Sequence, residues 1–189
     1  TFDWLVQRVN EAVRVAAMAA SAHTIGILDI FGFEIFERNS FEQLMINFAN
    51  EKLQSLFNAT IFEAERAIYR EEGLDASYIV FTNNQPCVEL LEGKRTGVLA
   101  VLDDQCLGVA ADDDKLLSAL RKAHGDGRAP KAQARDGGGA PGAHWVAPAV
   151  RERAEAFCVR HFAGDVTYFV RGFVDKNADK LLDGLHDVV

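Results

Sequence analysis

Long apolar runs are missing from this 189-residue chain: no stretch is long enough to cross a bilayer, and none reads as a signal peptide. Cysteine is scarce. The three present (Cys87, Cys106, Cys158) are odd in number, widely spaced and form no Cys-x-x-Cys pair. That pattern speaks against a disulfide framework or a cysteine metal site, and fits reduced thiols packed as small hydrophobes. Basic charge is in short supply: 20 Lys and Arg stand against 28 Asp and Glu, a net charge of −8, where a nucleic-acid binder would be basic. Proline is rare too, and three of the four fall in residues 125–149 with six of the fifteen glycines. That stretch reads as a flexible insertion. The five histidines are scattered without metal-ligand spacing, and His161 reads as structural. Residues 112–114 are three adjacent aspartates, but the spaced acids, central Gly and distal Glu of a calcium loop do not follow. They read instead as acids at a helix amino end, where the macrodipole favours them.

What is present is patterned. Residues 1–19 carry apolar side chains at three- and four-residue steps and predict an amphipathic helix. The run Ile25-Gly26-Ile27-Leu28-Asp29-Ile30 suits a strand buried on both faces, and Asp29 is followed three residues later by Gly32. An Asp-x-x-Gly at the carboxyl end of such a strand is one way nucleotide triphosphatases sense a γ-phosphate, since the acid reaches the magnesium shell and the glycine bares a backbone N–H. By itself the tetrapeptide is common in α/β proteins. Ser40, with Gln43 at the capping-box spacing, predicts a helix start, and Gly73 is the first strong stop. A helix over 40–69 would be roughly 45 Å long. Short helices are expected over 87–92, from 98, over 114–124 and over 175–188, with a β-hairpin about the Gly164-Asp165 turn.

The sequence Asn39-Ser40-Phe41-Glu42-Gln43-Leu44-Met45-Ile46-Asn47-Phe48-Ala49-Asn50-Glu51-Lys52-Leu53-Gln54 resembles the relay helix of myosin motor heads, and Asp29-Ile30-Phe31-Gly32-Phe33-Glu34 resembles their second nucleotide switch. Asn84-Gln85-Pro86-Cys87, Leu102-Asp103-Asp104-Gln105-Cys106, His161-Phe162-Ala163-Gly164-Asp165 and Gly172-Phe173-Val174-Asp175-Lys176-Asn177 extend the match in the family's order. Only about 125–149 has no counterpart. The resemblance implies an α/β, P-loop-type motor fold, present as a mostly helical central piece with one central-sheet strand and a C-terminal β-hairpin. Its expected parts are a helix, strand and second switch in 1–38, the relay helix and loop in 39–74, and the lower actin-binding subdomain in 75–189. Phe31, where muscle-type myosins have Ala, points to an unconventional class.

The resemblance also implies roles. Asp29 would hold magnesium through water. Ile30 and Phe31 would line the nucleotide beside Gly32, with Phe31 and Phe33 expected to pack rather than react. The Gly32 N–H would bond the γ-phosphate of ATP, and Glu34 would pair with an arginine of the first switch. Phe48, Leu53, Phe57 and Ile61 would carry displacement along the relay helix. Leu107, Val109, Leu116 and Leu117 would form an apolar tip facing the actin filament. Val109, Leu116 and Asp112 depart from the family's usual Pro, aromatic and Thr there, and Thr60, Ala76 and Asn83 depart elsewhere. No Gly-Lys-Ser/Thr loop and no first switch occur in the chain, so it is expected to lack the phosphate cradle and to be inactive alone. The rest of the motor head would be its partner, with no nucleic acid and no membrane contact, in a cytoplasmic, cytoskeleton-associated protein. Two other readings stay open: a motor-derived actin-binding scaffold without hydrolysis, and an unrelated α/β nucleotide triphosphatase.

Overall fold

The computed structural model describes residues 2–13, 28–77, 82–108, 112–127 and 141–178, in two units divided after Ile30. The first unit holds helix α1 (Phe2–Val13). Its apolar residues Trp4, Leu5, Val6 and Val9 are exposed, and Arg8 bonds Glu11 at 2.9 Å. The expected strand at 25–30 is not borne out where it can be seen: Leu28, Asp29 and Ile30 are irregular and exposed, and 25–27 lie outside the described residues, as does 14–19 of the first expected helix. A strand buried on both faces needs a neighbour on each side, and among the described residues none pairs with this one.

In the second unit, helices pack over a small antiparallel sheet. Helix α2 (Phe41–Phe57) starts where the capping signal lies, with the Ser40 N–H donating to Gln43 Oε1 at 2.9 Å. The helix continues past Phe57 through one π-helical stretch (Asn58–Glu63) into α3 (Ala64–Glu71), so it is long but not uniform. Helices α4 (Gln85–Glu92), α5 (Val98–Cys106) and α6 (Asp113–His124) follow. Gly93 closes α4 because of space, not because of its φ: a Cβ there would lie 2.6 Å from the Glu89 carbonyl oxygen. The Asp112 carboxylate accepts the Asp114 N–H at the start of α6, as a cap should.

Strands β1 (Trp145–Val146), β2 (Ala156–His161) and β3 (Gly164–Phe169) form one sheet in the order β1-β2-β3, followed by α7 (Phe173–Asn177). The hairpin register pairs Phe157 with Tyr168 and His161 with Gly164. β1 arises inside the stretch read as a flexible insertion. There Trp145 is buried, stacks on Phe157 with centroids 5.4 Å apart, and donates its indole N–H to the Gly125 carbonyl. A large aromatic surface removed from water is enough to order the end of a glycine-rich segment; residues 128–140 are outside the described set. Of the last expected helix, 175–188, residues 175–177 are helical within α7 and 179–188 are not described.

The core gathers Leu44 of α2, Leu90 and Leu91 of α4, Leu102 of α5, Leu116, Leu117 and Leu120 of α6, Val166 and Tyr168 of β3, and Phe173. The turn between the switch segment and α2 is stapled to the hairpin. Asn39 Nδ2 donates to the Phe36 and Thr167 carbonyls, and the Phe169 N–H donates to the Asn39 carbonyl. Those bonds hold residues 31–40 across the amino half of α2.

Candidate functional site

A polar stripe runs along α2, and its amino half faces residues 31–34. Gln43, Asn47, Asn50, Gln54 and Asn58 recur at steps of three or four, so they share one side of the helix. Gln43 Nε2 donates to Glu34 Oε2 at 3.2 Å. Asn47 grips the Glu34 backbone in both directions: its Oδ1 accepts the Glu34 N–H at 2.8 Å and its Nδ2 donates to the Glu34 carbonyl at 2.8 Å. Asn50 Nδ2 donates to the Phe31 carbonyl at 3.0 Å. Asn47 is fully buried, which makes its pairing energetically strict. Two side chains, Asn47 and Asn50, thus hold the two ends of the backbone from Phe31 to Glu34, while Gln43 holds the Glu34 carboxylate.

Gly32 lies between the two gripped residues, and a Cβ built on it would meet no atom within 4 Å. The space at its Cα is therefore open among the described residues. Asp29 is described within the first unit only, where it is exposed. Phe33 packs edge-on against His161 and Phe162, at 5.1 and 5.4 Å. Phe31, also expected to pack, is 72 % exposed and does not.

Behind the stripe lies a buried polar chain that spacing alone did not reveal. Asn47 Nδ2 donates to the Tyr168 hydroxyl at 2.9 Å, and that hydroxyl lies 2.8 Å from His161 Nε2. His161 Nδ1 lies 3.0 Å from Glu51 Oε1, which also accepts the Phe162 N–H at 2.9 Å. Asn84 Nδ2 donates to Glu51 Oε2 and to the Glu51 carbonyl, and Asn58 Nδ2 donates to Asn84 Oδ1. Burial pushes the Glu51 carboxyl up, but the bonds from His161, Asn84 and the Phe162 amide outweigh it and hold it below its ordinary value. Burial pushes the Tyr168 phenol up, and pushes up the Cys87 thiol, which the nearby Glu51 charge raises further. Glu51, Cys87 and His161 bring possible ligand atoms within 4.8 Å of one another. Both carboxylate oxygens and both ring nitrogens already have partners, so the cluster is a hydrogen-bonded node, not an open metal site. The sequence signal was there to find: a polar residue each turn along an otherwise core-facing helix calls for partners.

The other expected site residues scatter. Phe48 and Leu53 are half-buried, whereas Phe57 and Ile61 are 50 % and 44 % exposed, and α3 buries nothing. Leu107 is 86 % exposed. Leu116 and Leu117, expected with it at an apolar tip, are core residues at 0 % and 2 %. They occupy the inward face of an amphipathic helix whose other face is charged, so they cannot touch a filament from there. Val109 lies outside the described residues.

Comparison with known proteins identifies the family. Over 188 residues the chain is 40 % identical to unconventional myosin-Id of Canis lupus familiaris, covering 95 % of this chain and 18 % of that protein. It is 39 % identical over 193 residues to myosin-2A of Naumovozyma castellii, covering 100 % of this chain and 11 % of that one. It is 40 % identical over 185 residues to the myosin IE heavy chain of Dictyostelium discoideum, with 97 % and 17 % covered. The chain therefore spans less than a fifth of these relatives. The family model for the myosin head (motor domain) matches residues 1–189. On the switch motif, the helix that grips it and these matches along the whole length, the chain belongs to the myosin head family, with its P-loop-type α/β fold.

Proposed function

We propose that this chain is the switch-and-relay portion of an ATP-driven motor that works on actin. Residues 1–38 carry the second switch, 39–74 the relay helix and loop, and 75–189 the lower actin-binding subdomain. The observation that supports this most directly is the two-way Asn47 grip on Glu34, with Asn50 holding Phe31. A displacement of the peptide between them is passed to α2 through hydrogen bonds, without a gap to take up. Bound Mg·ATP supplies the phosphoryl group and the metal that neutralises its charge. Asp29 would hold the magnesium through water, with Ile30 and Phe31 beside the nucleotide. The Gly32 N–H donates to the γ-phosphate, for which the open space at its Cα leaves room. Glu34, bonded to Gln43 here, pairs with an arginine of the first switch and closes the site around the attacking water.

The phosphate cradle and that arginine belong to the remainder of the head, so the piece alone binds no ATP productively. On the filament side Leu107 presents an exposed apolar contact. No helix among the described residues is long and apolar enough to cross a membrane, and the protein is assigned to the cytoplasm and its cytoskeleton. Gly32→Ala in the full-length protein tests the reading. The methyl meets nothing in the chain, so the fold tolerates it; nucleotide binding stays within a few-fold, while single-turnover hydrolysis falls roughly 10²–10³-fold for one lost donor. Normal hydrolysis with collapsed nucleotide affinity would refute the role of Gly32.

A further inference from the structure

The buried chain from Glu51 to Glu34 has a direction. An ionised carboxylate only accepts, so Glu51 Oε1 requires His161 Nδ1 to carry hydrogen at their 3.0 Å contact. With Nδ1 as donor, the neutral ring leaves Nε2 as an acceptor for the Tyr168 O–H, 2.8 Å away. Tyr168 has one hydrogen; once that is given to His161, its oxygen accepts from Asn47 Nδ2 at 2.9 Å. The Asn47 amide is then oriented with Nδ2 toward Tyr168 and the Glu34 carbonyl, and Oδ1 toward the Glu34 N–H. The same orientation matches the one donor and one acceptor that the Glu34 backbone offers, so the buried chain and the switch backbone favour one amide orientation together. In the opposite tautomer Nδ1 would face the carboxylate without a hydrogen, and the phenol hydrogen would lose its acceptor.

We propose that Glu51 is a positioning residue for the second switch: through His161 and Tyr168 it sets the orientation of the Asn47 amide that grips Glu34. This rests on the switch reading above. Every member is deep in the protein, with Glu51, Asn47 and Tyr168 at 0 % exposure and His161 at 4 %, so water does not compete for any of these bonds. The members come from two places far apart in sequence, α2 and the β2–β3 hairpin, and the hairpin therefore takes part in holding the switch. Asn84 and the Phe162 amide anchor the acid from its other sides, which keeps it a fixed acceptor and not a mobile one.

The test uses the full-length protein. With selectively ¹⁵N-labelled histidine, the His161 signal, assigned by its loss in His161→Gln, is expected as the Nδ1–H tautomer; an Nε2–H tautomer overturns the proposal. Tyr168→Phe deletes one hydroxyl from the chain while keeping the ring, and Glu51→Gln replaces the pure acceptor with a group of mixed character. Each is expected to slow single-turnover hydrolysis about 10-fold or more, as slight misplacement of an active-site group does, with nucleotide affinity within a few-fold. The double variant is expected to be little worse than either single one, because both interrupt the same chain. Additive effects, or a lowered thermal midpoint with wild-type hydrolysis, overturn it. Gly32→Ala in parallel separates the two readings. If it slows hydrolysis and the chain variants do not, only the positioning role fails; if it too leaves hydrolysis untouched, the switch reading fails with it.

Discussion

Truncating Phe57 to Ala distinguishes transmission along the relay helix from ordinary packing. The ring lies at the last turn of α2 and is 50 % exposed; its closest aromatic neighbour is Phe62, edge-on at 5.7 Å. Fully burying a Phe is worth about 1.5–3 kcal/mol, so half-burial leaves about 1 kcal/mol to lose, and no closed cavity is left behind. A buried position such as Leu44, at 0 % exposure, would instead cost about 3–5 kcal/mol on truncation. The large loss that apolar periodicity suggests for Phe57 is therefore not expected from this chain's own contacts. The neighbouring Leu56, Ile61 and Ile68 are exposed as well, and the helix changes to π winding one residue on. A helix passes on a displacement only where its packing has discrete alternatives. In the full-length protein, Phe57→Ala should leave basal ATPase near normal and reduce gliding velocity, with the thermal midpoint little changed. A proportional fall in both, or no change in either, would refute transmission at Phe57. A loss of 3 kcal/mol or more would show that another part of the protein covers the ring.

The purified 189-residue chain is expected to show no magnesium-dependent ATPase above buffer; turnover abolished by Asp29→Ala would refute the assignment of the phosphate cradle to another segment. Leu116→Ala should cost about 3–5 kcal/mol in denaturant unfolding, whereas Leu107→Ala should cost under about 0.5 kcal/mol and weaken actin cosedimentation; the reverse pattern would contradict the burial seen here. Glu51 is held below the ordinary 4.5, so its contribution is present above that pH and is lost as the pH falls through its lower folded value. Glu51→Gln should therefore flatten the acid limb of a stability-against-pH curve, and an unchanged slope below pH 4.5 would count against the bonds drawn to it.

Local chemistry was legible in the sequence by itself. The Ser40–Gln43 capping pair marks where α2 begins, the aspartates at 112–114 mark the start of α6, and the Gly164-Asp165 turn marks the hairpin. Each is set by interactions within a few residues, so the order of residue types suffices. The motifs from Asp29 to Asn177 likewise named the family, because they depend only on residue identity and spacing. Tertiary structure decided what those signals leave open. Apolar periodicity gives α2, α3 and α6 the same kind of stripe, yet Leu44 and Leu116 are sealed while Phe57 and Ile68 are exposed. Which stripe is covered depends on elements far along the chain. Trp145 could be read as a local dock for a glycine-rich stretch, but only the fold supplies Phe157 as the surface it stacks on. Asn47 and Glu51 stand one turn apart on α2, and His161 and Tyr168 on one hairpin, but the two pairs lie far apart in sequence, with 121 residues between Asn47 and Tyr168. Only folding brings an acceptor-only carboxylate, an imidazole, a phenol and an amide into line, because a buried polar group is tolerated solely where another segment arrives to satisfy it.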